Sequence, residues 1–133
     1  MKNITPLESA DRLHIARSYM DRYYAAPLTL EQISGEAGFS PYHFIRLFRS
    51  AYRRTPHQYL MQQRIGKAKE LLRSTDLPII DVCYAVGFES LGSFSTLFRR
   101  EAGLSPSQYR QHTRPQIQSA FVPLCFRYKH GLE

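Results

Sequence analysis

The segment Ala37–Ser50, AGFSPYHFIRLFRS, has an echo at Val86–Arg100, VGFESLGSFSTLFRR. Both open on Gly-Phe, pass a serine suited to start a helix, and close on Phe-x-x-Leu-Phe-Arg. Leu28, Gly38 and Phe39 match Leu77, Gly87 and Phe88 at an offset of 49. One extra residue then enters, and Phe44, Leu47, Phe48, Arg49, Pro56, Gln58 and Tyr59 match Phe94, Leu97, Phe98, Arg99, Pro106, Gln108 and Tyr109 at an offset of 50. Solenoids need three or more copies to bury a core, so two copies joined by one segment point to two small subdomains.

Helix-start signals recur around the repeat. Thr5-Pro6-x-Glu8, Thr29 to Gln32, Thr55 to Gln58 and Ser105 to Gln108 each place a hydroxyl cap three residues before Glu or Gln, the reciprocal capping box. Ser40-Pro41 opens a further helix without the box. Gly38, Gly87 and Gly103 fall where helices should stop, because glycine enters the left-handed backbone region without strain. No stretch alternates with period two, so the fold class is all-α, with about seven helices at 6–25, 30–36, 41–52, 56–73, 78–85, 91–102 and 106–112. Within each copy a short helix, a glycine turn and a longer helix make a helix-turn-helix unit. The expected organisation is an N-terminal helix with a first helix-turn-helix subdomain over 1–53, a linker helix region over 54–75, a second subdomain over 76–112, and a tail over 113–133.

Charge singles out one region. The 133-residue chain has a net charge of +7. Residues 40–73 hold eight Lys and Arg against Glu70 alone, which accounts for the whole excess. A focused positive charge suits a polyanionic partner. On the helix from Pro41, Phe44, Leu47, Phe48 and Ala51 form an apolar stripe at i, i+3, i+4 and i+7. At 100° per residue, Tyr42, Arg46, Arg49 and Arg53 lie opposite, with Ile45 on the flank. Arginine pairs bidentately with guanine O6 and N7, and a tyrosine ring packs on a thymine methyl. In the second copy Phe94, Leu97, Phe98 and Glu101 mark the inner side; Gly92, Thr96 and Arg99 lie outside, flanked by Ser93 and Ser95. Arg99 is the phosphate candidate there, and Ser93 and Thr96 offer hydrogen bonds to either partner. Arg53, Arg54 and Arg64, with Lys67 and Lys69, are further phosphate candidates. The linker helix, about 27 Å long at 1.5 Å per residue, compares with about 34 Å for one turn of duplex.

Other classes find less support. The five histidines have no metal-ligand spacing with Cys or carboxylates, and no glycine-rich phosphate loop is present, so no catalytic residue, metal site or cofactor is assigned. The chain is read as not an enzyme. Two cysteines are too few for a disulfide scaffold, and neither a signal peptide nor a membrane-length apolar run occurs, which favours a cytoplasmic setting without membrane partners. A helical protein-interaction module remains the alternative, its Phe/Leu stripes serving as partner grooves. RNA is a weaker fit, because A-form RNA has a deep, narrow major groove.

The spacing of Ala-Gly-Phe-Ser, Arg-Leu-Phe, Thr-Pro-x-x-Tyr, Arg-x-x-x-Ala-x-x-Leu-Leu, Val-Gly-Phe-Glu-Ser, Phe-Arg-Arg-x-x-Gly and Ser-Pro-x-x-Tyr-Arg resembles the AraC/XylS family of bacterial transcription regulators over residues 28–110. The resemblance implies two helix-turn-helix subdomains on a long helix, with bases read from the third and sixth helices. Carried over by position, the base-reading residues are Tyr42, Ile45 and Arg46, then Gly92, Ser93 and Thr96. Gly92 and Thr96 depart from the polar or basic residues common in the second reading helix. The resemblance also implies a transcription activator that contacts RNA polymerase, and double-stranded DNA as the partner of a monomer. Many members carry a separate sensing domain, for which the roughly thirty residues before the first motif leave no room. The alternative is a DNA-binding fragment of a larger sensor-regulator. The tail, with its apolar Phe121–Phe126, packs back on the domain, stays disordered, or begins a longer chain.

Overall fold

In the computed structural model, which describes residues 5–114, seven helices follow one another with no strand among the described residues. They are α1 (Pro6–Arg22), α2 (Leu30–Glu36), α3 (Pro41–Tyr52), α4 (Pro56–Ser74), α5 (Ile79–Ala85), α6 (Leu91–Ala102) and α7 (Pro106–Thr113). The expected all-α class and helix count hold. The tail beyond Arg114 lies outside the described residues, so its three alternatives stay open.

All four capping boxes form. Thr5, Thr29, Thr55 and Ser105 accept from the backbone N–H three residues on, and Glu8, Gln32, Gln58 and Gln108 accept from the cap's own N–H at 2.9–3.0 Å. Each box satisfies two N–H groups that a helix start otherwise leaves without partners. The α2–α3 and α5–α6 turns are built alike. Gly38 (φ 75°) and Gly87 (φ 100°) adopt the left-handed conformation. Phe39 N–H then donates to Ser34 O and Phe88 N–H to Cys83 O, while Gly38 and Gly87 donate to Gly35 O and Tyr84 O. This is the paired 6→1 and 5→2 closure that ends a helix at a glycine.

Four helix ends differ from expectation, α4 and α7 by running one residue further, to Ser74 and Thr113. The first helix stops at Arg22 instead of residue 25. Pro27 disfavours helical backbone at Ala26, and the freed carbonyls of Tyr24 and Ala26 accept from Arg64. Pro78 caps α5 from outside, and the helix begins at Ile79.

The chain divides into two compact units, 1–64 and 65–133, with the boundary inside α4. In the first, Leu13, Ala16 and Met20 of α1 meet Ile33 and Ala37 of α2, Phe44 and Phe48 of α3, and Tyr59 and Leu60 of α4. In the second, Ile65, Ala68 and Leu72 of α4 are buried, as are Val82, Cys83 and Val86 of α5 and Phe94 and Phe98 of α6. Each core holds the same aromatic chain. Phe39, Phe44 and Phe48 lead to the edge of Tyr59, with the Phe48–Tyr59 centroids 5.7 Å apart. Phe88, Phe94 and Phe98 lead to the edge of Tyr109, with the last pair 5.4 Å apart. Edge-to-face packing of this kind adds about 0.5–1.5 kcal/mol per pair beyond area burial. The apolar stripes are one position shorter than expected: Ala51 and Glu101 are exposed, and in α3 it is Tyr52 that continues the packing, its ring centroid 4.6 Å from that of Phe48.

Candidate nucleic-acid interface

Burial of Phe44 and Phe48 on one side of α3 leaves the opposite side in solvent. Tyr42, in the first turn, is 79% exposed; Arg46 and Arg49 follow one and two turns on, both exposed, and Ile45 is half-buried on the flank. The helix is pinned from behind by its phenylalanines, so this edge is presented on a rigid element. Arg53 ends α3 as its C-cap at φ 62°, the sole non-glycine residue with positive φ among those described. Arg54 is exposed and its guanidinium donates to Gln62.

On α6, burial of Phe94 and Phe98 likewise leaves Gly92, Ser93, Thr96 and Arg99 exposed. Ser90 caps the helix by accepting from Ser93 N–H at 3.2 Å. A Cβ placed on Gly92 would meet nothing within 4 Å. Two shallow depressions flank Thr96, one reaching Arg99 and Ser105 and the other Gly92 and Ser93, and Arg100 borders both. Arg100 was missed in reading the sequence. Its signal was present, since Gly92, Thr96 and Arg100 stand at i, i+4 and i+8 and share one stripe.

Arg64 is corrected. Expected on a phosphate-facing surface, it is 8% exposed. Its Nε donates to Tyr24 O at 2.7 Å and its Nη2 to Ala26 O at 2.9 Å. Through these two bonds the guanidinium ties α4 to the α1–α2 connection, Ala26 O accepting from Leu28 N–H as well. Lys67 lies 3.6 Å from Glu70, and Arg73 donates to the Tyr109 hydroxyl at 2.6 Å. Among the described residues no cluster of His, Cys, Asp and Glu could hold a metal ion, and no helix is long and apolar enough to cross a membrane.

Comparison with known proteins agrees with this architecture. A family profile described as a helix-turn-helix domain matches residues 33–112. The regulatory protein SoxS of Salmonella typhimurium is 34% identical over 92 residues, 69% of this chain and 86% of SoxS. The MmsAB operon regulatory protein of Pseudomonas aeruginosa is 38% identical over 104 residues, but the match spans only 33% of that longer protein. Among solved structures, the C-terminal domain of AraT, a response regulator from Geobacillus stearothermophilus, superimposes with a TM-score of 0.75 at 29% identity. That match covers 89% of this chain and 94% of the other. The DNA-binding domain of AdpA, solved in complex with a target DNA, gives 0.72 at 25% identity, covering 92% and 98%. These matches define an all-α, helix-turn-helix DNA-binding domain of a transcription regulator. The chain belongs to the AraC/XylS family.

Proposed function

We propose that the protein binds a specific duplex DNA site by inserting α3 and α6 into successive major grooves, and that it activates transcription from there. The observation that carries the DNA-reading role is the α3 edge: Tyr42, Arg46 and Arg49 exposed in register on a helix whose other side is locked by Phe44 and Phe48. In this reading Tyr42, Ile45 and Arg46 meet base edges of one groove, and Gly92, Ser93 and Thr96 those of the next. Arg49, Arg53, Arg54, Arg99 and Arg100 meet phosphates. Arg64 is left out because its donors are spent internally. Two reading helices on one chain, joined through the 19-residue α4, support the two-groove reading.

Binding is by a monomer to an asymmetric site of about two turns, because the chain itself supplies two unlike reading helices. The activator role rests on likeness to proteins such as the activator RhaS of Escherichia coli, 32% identical over 103 residues. Contact with RNA polymerase belongs to that same step. The activity of any longer natural protein is part of this proposal too, because the chain covers about a third of the MmsAB regulator.

The test is direct. Enrichment of duplexes from a random library should yield a consensus, and affinity for it should fall steeply as salt rises. Arg46→Ala should weaken the consensus more than random duplex. Equal weakening of both, or binding insensitive to salt, would refute the reading.

A further inference from the structure

The two long helices can be laid station on station at the offset of 50. Their burial then largely agrees: Phe44 and Phe48 correspond to Phe94 and Phe98, and Tyr42, Arg46 and Arg49 are exposed like Gly92, Thr96 and Arg99, while His43 is half-buried where Ser93 is exposed. The side chains at those stations do not agree. Tyr42 stands where the second copy has Gly92, His43 where it has Ser93, and Arg46 where it has Thr96. The one cation kept is Arg49, matched by Arg99, one turn from the helix end in each case.

Among these stations, the arginine one turn from the end is suited to the uniform backbone, whereas those in the first two turns are suited to base edges. In the second copy the base-facing stations have been emptied in place. Gly92 is a poor helix former, and the room around it is open, so packing does not demand glycine there. Thr96 is exposed and cannot make the bidentate guanine contact open to Arg46.

We propose that base recognition is polarised. The α3 half of the DNA site carries nearly all of the sequence preference, and the α6 half is held chiefly through Arg99 and Arg100 on phosphate. This rests on the DNA-binding reading above and deepens it. The polarity is local, so moving the first helix's residues into the second should move its preference with them.

The experiment is enrichment from a random duplex library with the full 133-residue chain, run on wild type and variants. Wild type should return one strong block of bases beside a weakly constrained flank. Arg46→Ala should flatten the strong block and cost about tenfold or more in affinity for the consensus. Thr96→Ala should blur the flank's faint preference and cost several-fold less in affinity than Arg46→Ala. The double variant Gly92→Tyr/Thr96→Arg should return a second block resembling the first. Should that pair fail to fold by circular dichroism, Thr96→Arg alone, at an exposed position, should bring a guanine preference into the flank.

Two equally strong blocks from wild type would overturn the proposal. So would a Thr96→Ala loss as large as that of Arg46→Ala, or folded variants that select the wild-type flank unchanged. Each leaves sequence-specific binding standing. If wild type enriches no sequence at all, the DNA-reading role fails and takes this proposal with it.

Discussion

Arg53 and Gly103 close α3 and α6 in the same way: each adopts the left-handed conformation, at φ 62° and 80°, and each N–H donates to an arginine carbonyl four residues back, Arg49 O at 2.9 Å and Arg99 O at 2.8 Å. Glycine does this freely, whereas an L side chain there costs about 1–2 kcal/mol. The first copy thus tolerates strain where the second has none. Arg53→Gly should relieve the strain, partly offset by the added freedom of the unfolded chain, for a net gain of up to about 1 kcal/mol. Thermal melting should rise by a few degrees, while the slope of log affinity against log salt should fall by about one if Arg53 neutralises a phosphate. Gly103→Ala should lower the melting temperature. A lower melting point for Arg53→Gly would contradict the account.

Arg64 offers the opposite case, a cation whose loss should be felt in folding instead of binding. Arg64→Met removes the donors to the carbonyls of Tyr24 and Ala26. Losing two hydrogen bonds from a charged donor should cost about 2–3 kcal/mol of stability, although Ala26 O keeps the Leu28 N–H. The salt slope of DNA binding, measured where the variant is folded, should stay as in wild type. Arg49→Ala should do the reverse, with little change in melting and a slope lower by about one. Chemical denaturation and salt titration of both variants check the pair.

Arg64 also shows where reading the sequence stopped. The capping boxes, glycine stops and phenylalanine stripes were legible because each is a local rule, with partners within a few residues. Those rules gave seven helices and the exposed edges of α3 and α6. Arg64 looked like its neighbours in a basic segment, although it shares a stripe with Leu60 and Ala68, because its bonding partners are distant in sequence. Its partners lie 38 and 40 residues away, and they exist only because α1 ends early before Pro27. Arg53 is exposed as expected, but its left-handed backbone was not legible, because no local rule marks a non-glycine residue for that conformation. Arg100, by contrast, was legible at i+4 from Thr96.

Tyr59 couples α1 to α4 through its hydroxyl, which donates to Asp21 Oδ1 at 2.6 Å and accepts from Arg17 Nε at 3.1 Å. Burial of the phenol, and then its hydrogen bond to Asp21, raise its pKa above the ordinary value of 10.0. The neutral phenol is therefore favoured in the folded protein, and the unfolded chain gives up this proton first. The resulting stabilisation is complete below pH 10 and is lost as pH rises through the folded-state value. Wild type should lose stability above pH 10 more steeply than Tyr59→Phe, which has no proton to lose there. At neutral pH the same variant should be weaker by about 1 kcal/mol, from the missing hydrogen bonds. Parallel alkaline limbs in denaturation curves taken between pH 8 and pH 11, a window on either side of about 10, would rule this out.

Cys83 occupies the station that Ser34 holds in the first copy, and both are fully enclosed. Ser34 Oγ donates to Glu31 O at 3.3 Å, whereas the Cys83 thiol points to Ser90 O at 3.5 Å, just before α6. Burial pushes the thiol pKa up, so little thiolate forms near neutral pH. The thiolate is the reactive form, and the enclosed sulfur is also out of reach. In a Cys125→Ser background, where Cys83 is the one thiol left, a thiol reagent at pH 8 should react at least a hundredfold more slowly with the native protein than with the same protein in denaturant. Cys83→Ser should fold, because the first copy already accommodates a hydroxyl at this station. It should lose only about 1 kcal/mol, provided the serine finds a carbonyl within its own turn as Ser34 does. Rapid labelling of the native protein would show that the α5–α6 turn opens on its own, and a loss well beyond that size would show that the two turns are not interchangeable.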